Sequence, residues 1–458
     1  MIKEYIKQIK AGLSVTKAIQ PYVDKCLADK KGAVLEIFSD WKEHAKRVDQ
    51  KIKRGEKLGK LAGVPVTIKD NLMYKGHRVQ AASKILNGFV APYTATVVQK
   101  LLDEDAIIIA RVDMDEFAMG GLGRYALNGP VKNAHSDEHH AGGSSSGSAV
   151  AVACGYCLAS LGSDTAGSVR YPAALNGIVG VKPTYGSVSR YGAVAFGSNL
   201  EQVGVFAQNI QDAQLVLDVI SGKCPNDATS LSKPKDSPKK TDKVVFGRVK
   251  ELWDALAQTE VAPHYEKILQ KLKSTGAKII DLSMPNITKS INCYYALAPT
   301  QAASNLARFD GVKYGASAPD VETLSELYEK TRSAGFGAEV KRRILLGNLM
   351  LAQQSEPNIS SMKDKIAAEF ASAFERVDIL IMPTGGGVAP KIGEPMDPVQ
   401  DYLVDLFTVP SNMSGTPAIS IPCGTHDVLP LGLQIVANKW CESQMFATAT
   451  MLQKEVLK

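Results

Sequence analysis

From about residue 61 to 220, short apolar runs alternate with longer amphipathic runs, separated by glycine-rich turns. Strand-like Val64–Ile68 and Ala106–Ala110 bracket a helical Ala95–Leu102, and Ser146–Leu158 again reads as a helix. Such alternation needs a sheet whose strands are covered by helices, because neither element can bury its apolar side alone. The pattern resumes with strand Val244–Val249, helix Val261–Leu272 and strand Lys278–Leu282, and helices then run to about residue 376. Ile379–Met382, Ala418–Ile421 and Leu431–Val436 are short strands ahead of a C-terminal helix. These later strands have no core of their own and there is no internal repeat. The chain therefore predicts one large α/β unit over residues 61–458, preceded by a helical segment at 1–60. Residues 223–243, rich in Pro, Ser and Lys, read as an exposed loop.

Composition narrows the class. Hydrophobic residues make up 45% and charged residues 22%, the balance of a globular protein with a large core. No run approaches the roughly 18 apolar residues that would cross a bilayer. The first residues have neither the apolar centre of a secretion signal nor the arginines of a transit peptide. Seven cysteines scattered from Cys26 to Cys441 predict reduced thiols. Cys154 and Cys157 have redox-motif spacing but sit in an Ala/Val-rich run, where they pack as small apolar residues. The net charge of +6 comes from the first 60 residues, which hold 15 Lys/Arg against 8 Asp/Glu. A pair of solvated helices explains that excess, with a docking face as the second reading. No phosphate-binding G-x-x-x-x-G-K-[ST] run occurs, and Gly121-x-Gly123-x-x-Ala126 follows a helical string, unlike a dinucleotide fingerprint.

Chemistry concentrates in Ala141-Gly-Gly-Ser-Ser-Ser-Gly-Ser148 and Gly162-Ser-Asp-Thr-Ala-Gly-Ser-Val-Arg-Tyr-Pro172. Plain flexible loops are one reading. Each run, however, abuts apolar elements and offers backbone N–H groups beside hydroxyls, as an oxyanion site and a serine nucleophile require. The base is less clear from the residues. His135, His139 and His140 lie in a charged, surface-like stretch, where a metal site is a minor reading. Lys69 ends the apolar run Leu61-Ala-Gly-Val-Pro-Val-Thr-Ile-Lys-Asp-Asn71, and burial there would favour a neutral amine. A solvated strand terminus is the other reading of that lysine.

The order GVPVTIKDN, GGSSSGS, SDTAGSVRYPA resembles the amidase-signature family over nearly the whole chain. That resemblance implies a single large mixed sheet covered by helices on both faces. It makes Lys69 the base, Ser144 the bridging serine after a cis Gly143–Ser144 peptide, and Ser168 the nucleophile. Backbone N–H groups of Thr165, Ala166, Gly167 and Ser168 would form the oxyanion hole. Further strings resemble a subfamily, the glutamine-hydrolysing A subunits of tRNA-dependent amidotransferases. They are Met114-Asp-Glu-Phe-Ala-Met-Gly120, Ala303–Gly311, Gly335–Ile344, Tyr402–Pro410 and Pro417–Gly424. The subfamily implies that Arg343 grips the α-carboxylate of glutamine and Asp405 its α-ammonium. It also implies ammonia delivery to a B subunit that handles ATP, Mg²⁺ and Glu-tRNA(Gln), with a small third subunit of C or F type. No cofactor is then expected on this chain. The sequence departs from the subfamily at Ala166 (usually Gly), Leu122-Gly-Arg124, Gln301 (usually Glu) and Gln353–Lys363. Those departures incline the reading to a mitochondrial matrix over a bacterial cytoplasm. The competing readings are a stand-alone amidase of another small amide, a nucleotide- or RNA-binding module and an inactive scaffold.

Overall fold

The computed structural model describes residues 1–458 except 235–242, 354–355, 396–403 and 458. Its eleven strands are β1 (Val34–Ile37), β2 (Pro65–Lys69), β3 (Ile107–Val112), β4 (Ala159–Asp164), β5 (Val179–Lys182), β6 (Gln202–Ala207), β7 (Val245–Val249), β8 (Lys278–Leu282), β9 (Ile379–Pro383), β10 (Ala418–His426) and β11 (Leu429–Ala437). They form a single mixed sheet in the order β1-β3-β2-β4-β6-β5-β10-β11-β9-β7-β8. The β3-β2-β4 and β9-β7-β8 neighbours are parallel, and the pairs between and outside them are antiparallel.

Central strands of such a sheet have apolar cover on both faces, which is why β3 reads Ile-Ile-Ile-Ala-Arg-Val with every residue buried. Ile108 belongs to the core on one side, while Ile107 and Ile109 belong to a second core on the other. Phe206 of β6 likewise points away from Val205 and Ala207. Full burial of each such side chain stabilises by about 1.5–3 kcal/mol. The helix Ser146–Ala153, made of small residues and buried from Ser146 to Val152, packs against β2 and β4.

Residues 1–60 are not helical throughout. Helices Ile2–Lys10, Val15–Leu27 and Trp41–Lys53 are interrupted by β1, which pairs antiparallel with β3. Four half-buried residues carry too little periodicity to announce a strand, and only the partner β3 fixes them. The helix expected to reach Leu158 stops at Ala153, because Gly155 at φ +67° provides the left-handed turn that ends it. Cys154 and Cys157 flank that turn as free thiols. Residues 223–234 form no helix or strand, and the rest of the expected loop up to 242 lies outside the described residues.

Candidate active site

Lys69 is the last residue of β2 and has no solvent exposure, so the solvated-terminus reading does not hold. Its Nζ donates to Ser144 Oγ at 2.8 Å, Ser145 Oγ at 2.9 Å and Ser163 Oγ at 3.0 Å. Three acceptors match the three protons of an ammonium. Burial nevertheless pushes the Lys69 pKa down to about 7, against the upward pull of Glu201, Asp115 and Asp164. Burial thus favours the neutral amine that a general base requires.

The loop bearing Ser144 is tied from several sides. The Gly143–Ser144 peptide is cis. Asp115 N–H donates to Ser144 O at 3.1 Å, and Gly143 N–H donates to Gly121 O at 2.7 Å. The Asp115 carboxylate in turn accepts from Gly123 N–H at 2.9 Å and Tyr125 N–H at 2.8 Å. Burial raises the pKa of this carboxyl.

Ser168 lies on the turn after β4, close to the Ser144 loop, since Ser145 N–H donates to Ser168 O at 3.2 Å. Among the described residues no hydrogen bond joins the Ser144 and Ser168 hydroxyls; the structure closes the Lys69–Ser144 link and leaves the second link open. The turn is held by Asp164, which accepts from Arg170 Nε at 3.0 Å and Nη2 at 2.8 Å. Burial alone would raise the Asp164 pKa, but the Arg170 guanidinium holds it well below the usual carboxylate range. Arg170 also donates to Thr408 O at 2.8 Å, Ser411 Oγ at 2.6 Å and Gln434 Oε1 at 2.6 Å. Removing either partner of this fully buried pair would cost about 3–5 kcal/mol.

The oxyanion expectation needs one correction. Gly167 N–H already donates to Asp164 Oδ1 at 2.9 Å. It is turned into the loop rather than toward a substrate. Among the described residues the N–H groups of Thr165, Ala166 and Ser168 have no protein acceptor. Ala166 stays out of the left-handed region, so its Cβ adds no backbone strain where the subfamily has Gly. Gly167 is the residue that must lack a side chain: φ is +128°, and a Cβ there would lie 2.3 Å from Thr408 Oγ1.

Ser168 opens onto a cavity of about 460 Å³. Ala166 and Gly167 line it beside the serine, while Arg343, Asp405 and Tyr295 line it elsewhere. Arg343 is 6% exposed on the helix Ala338–Ala352. Its Nε donates to Glu339 Oε1 at 2.7 Å, and its guanidinium lies 5.8 Å from the ring centres of Tyr295 and Phe196. Asp405 accepts from Tyr295 OH at 2.8 Å. The cavity thus offers a cation and an anion to a ligand that also meets Ser168. Leu122 and Arg124 line it too, whereas Gln301 accepts from Asn199 N–H at 3.0 Å. Tyr402 and Leu403, and part of Gln353–Lys363, lie outside the described residues.

Sequence reasoning gave no role to Asp115, Asp164, Arg170, Tyr295 or Glu339. Asp164 and Arg170 stand inside a quoted motif, six residues apart, and a pair of opposite charges flanking a serine was the available signal. The histidine stretch is bound into its loop, with His135 Nε2 3.0 Å from Asn176 O and His139 Nδ1 2.8 Å from Ser136 Oγ. Among the described residues no three His, Cys, Asp or Glu side chains cluster as a metal site.

The family model described as Amidase matches residues 17–446. The A subunit of the glutamyl-tRNA(Gln) amidotransferase from Koribacter versatilis is 44% identical over 88% of this chain and 87% of that protein. The corresponding A subunit from Trichormus variabilis is 39% identical over 98% and 95%. Among solved structures, the A subunit of the glutamyl-tRNA(Gln) amidotransferase from Thermotoga maritima superposes with a TM-score of 0.75 at 34% identity, covering 94% of each chain. The peptide amidase of Stenotrophomonas maltophilia does so with a TM-score of 0.83 at 26% identity, over 98% of this chain and 95% of that one.

Proposed function

The chain belongs to the amidase family, and from that premise we infer that it is the glutamine-hydrolysing subunit of a glutamyl-tRNA(Gln) amidotransferase. The observation that carries this reading is a buried lysine bonded to Ser144, behind a serine that faces a cavity with Arg343 and Asp405 on its walls. A stand-alone amidase would need the same lysine and serines but has no use for a cation and an anion that match the two charged ends of free glutamine.

In this reading neutral Lys69 draws a proton from Ser168 through Ser144, once Ser168 turns its hydroxyl toward the bridging serine. Ser168 Oγ attacks the side-chain amide carbon, and the Thr165 and Ala166 N–H groups receive the developing oxyanion. Gly167 can join them only by releasing Asp164. The relay returns the proton to the amide nitrogen, the C–N bond breaks, and ammonia leaves. Water, deprotonated by the same relay, then attacks the acyl group, and glutamate and free Ser168 result. Arg343 would pair with the α-carboxylate and Asp405 with the α-ammonium.

The named relatives are amidotransferase subunits, which supports a complex in which this chain supplies ammonia. The proposed partners are a B subunit that takes ATP, Mg²⁺ and Glu-tRNA(Gln), and a small third subunit of C or F type. No metal or nucleotide is assigned to this chain. No helix among the described residues is long and apolar enough to cross a membrane. The compartment proposed is a mitochondrial matrix ahead of a bacterial cytoplasm, resting on the sequence departures; fractionation of the source cells tests it. Isolation of native complexes, with partner masses and glutaminase activity measured on the same sample, tests the function. A chain that purifies alone and hydrolyses uncharged amides better than glutamine would overturn it.

A further inference from the structure

The relay gives no task to the buried acid that acts most strongly on Lys69. Glu201 sits at the entry to β6, opposite the end of β4, and is 2% exposed. Its Oε2 accepts from Phe196 N–H at 3.1 Å, but its Oε1, also buried, receives no hydrogen bond. A buried carboxylate oxygen without a donor is costly, and native proteins seldom leave one so.

The complementary gap lies on Ser163. Its Oγ accepts from Lys69 Nζ at 3.0 Å and from Asn71 Nδ2 at 3.0 Å. Both lone pairs are then engaged, and the hydroxyl proton is left to donate. No hydrogen bond within 3.5 Å among the described residues uses that proton; Ser163 pairs with Val203 across β4 and β6, which sets Glu201 diagonally opposite, and while burial raises the Glu201 pKa the Ser163 hydroxyl pulls against it. Three carboxylates surround Lys69: Glu201, Asp115 and Asp164, with Glu201 the strongest influence. The other two are already engaged, Asp164 by Arg170 and Asp115 by two backbone N–H groups. Around Glu201 the charged groups are Arg190 and Lys69 itself. Arg190 is directed elsewhere, donating to Ser198 O at 2.5 Å and Thr229 Oγ1 at 2.8 Å.

We propose that Glu201 is a positioning residue for the amidase reaction: it accepts the Ser163 hydroxyl proton and, through that hydroxyl, fixes the place and the proton content of the Lys69 amine. The proposal rests on the reading of Lys69 as the base. It adds to the lysine–serine–serine relay a charged end on the far side of the lysine. A negative charge there favours the ammonium and so raises the pH at which the base becomes available.

The test uses the assembled complex with glutamine, and kcat/KM is followed across about pH 5 to 9, where it reports groups of the free enzyme. Wild type should lose activity as pH falls through about 7. Glu201→Gln keeps the shape and removes the charge. Its acid limb should move to lower pH by about 1–2 units, the effect of deleting a neighbouring opposite charge. Glu201→Asp should return most of that shift. A carboxylate that only braces the fold would lower yield or melting temperature without moving the limb. A folded Glu201→Gln enzyme whose limb stays in place, or moves up, overturns the proposal. Should Glu201→Gln not fold, Ser163→Ala cuts the same link with Glu201 intact; there too the limb must move down, and an unmoved limb overturns the proposal. Ser168→Ala is assayed alongside. Ammonia release that survives in it removes the amidase reading, whereas its loss with an unmoved Glu201→Gln limb removes only the role of Glu201.

Discussion

Replacing Arg343 with Ala separates a glutamine site from a general amide site. In the structure the guanidinium is nearly buried, with Nε committed to Glu339 at 2.7 Å and Nη1 only loosely to Tyr294 OH at 3.4 Å. Of its five N–H groups, most of those on the terminal nitrogens remain for a carboxylate. Glu339 does not become an orphan in the variant, because Arg342 donates to it at 2.7 and 2.8 Å. The loss therefore measures what Arg343 gives the ligand. Breaking a buried, hydrogen-bonded charge pair costs about 2–4 kcal/mol. At about 1.4 kcal/mol per factor of ten, kcat/KM for glutamine should fall roughly 30- to 1000-fold. A small uncharged primary amide has no carboxylate to lose, so its hydrolysis should stay at the wild-type level. Both substrates are assayed for ammonia release in the assembled complex, and a melting curve confirms that the variant is folded. If both substrates fall together, Arg343 serves the fold or the chemistry and not the α-carboxylate. If glutamine does not fall, the glutamine-site geometry is misread.

The remaining expectations concern the relay and its scaffold. Ser168→Ala should abolish ammonia release and Ser144→Ala should leave a residue of it, with the double variant little worse than Ser168→Ala alone, since relay members act as a unit; kcat of the three proteins decides this. Lys69 should also leave a mark on stability. Its folded pKa of about 7 is below the ordinary lysine value of about 10.4, so between those values the unfolded chain binds the extra proton and stability must rise with pH. Denaturant midpoints of wild type relative to Lys69→Met should therefore climb from about pH 7 to 10, and a flat difference would refute the buried neutral amine. Gly167→Ala forces a Cβ to within 2.3 Å of Thr408 Oγ1 at φ +128° and should cost about 1–3 kcal/mol in melting experiments as well as most of the activity. Normal activity in that variant would show that the turn can be rebuilt.

The large features were legible because they rest on patterns that run along the chain. The apolar runs of β2 and β3 stood within one to two residues of their observed ends, and β8 at Lys278–Leu282 agreed at both. Lys69 could be singled out as a lysine closing an apolar strand, but its burial is a property of β3 and β4 on either side, which no local window contains. The same reasoning explains β1, whose four residues become a strand only by pairing with Ala110, Arg111 and Val112 of β3, far along the chain. The family resemblance implied an oxyanion role for the Gly167 N–H, and the sequence of a glycine-rich turn does not say which way each N–H faces. Asp164, three residues earlier, decides it. Glu201 stayed silent for a similar reason: its partner Ser163 is a neighbour across two antiparallel strands, not along the chain.

The strand order has a consequence for how such a chain is made. β1 to β6, from residues 34 to 207, complete one side of the sheet, and β7 to β9 form the other. The hairpin that joins them, β10–β11, is the last part of the sheet to be synthesised and is inserted between β5 and β9. Until it emerges from the ribosome, two half-sheets carry open, apolar edges at β5 and β9, the kind of edge that recruits other strands. The nucleophile turn is unfinished as well, because Arg170 waits for Gln434 on β11 and Ser411 just before β10. A ribosome stalled before β10 and β11 emerge would hold a chain with nine of the eleven strands made and no fixed hydrolytic turn. Assembly and activity then begin at the same moment, when the final hairpin closes the sheet.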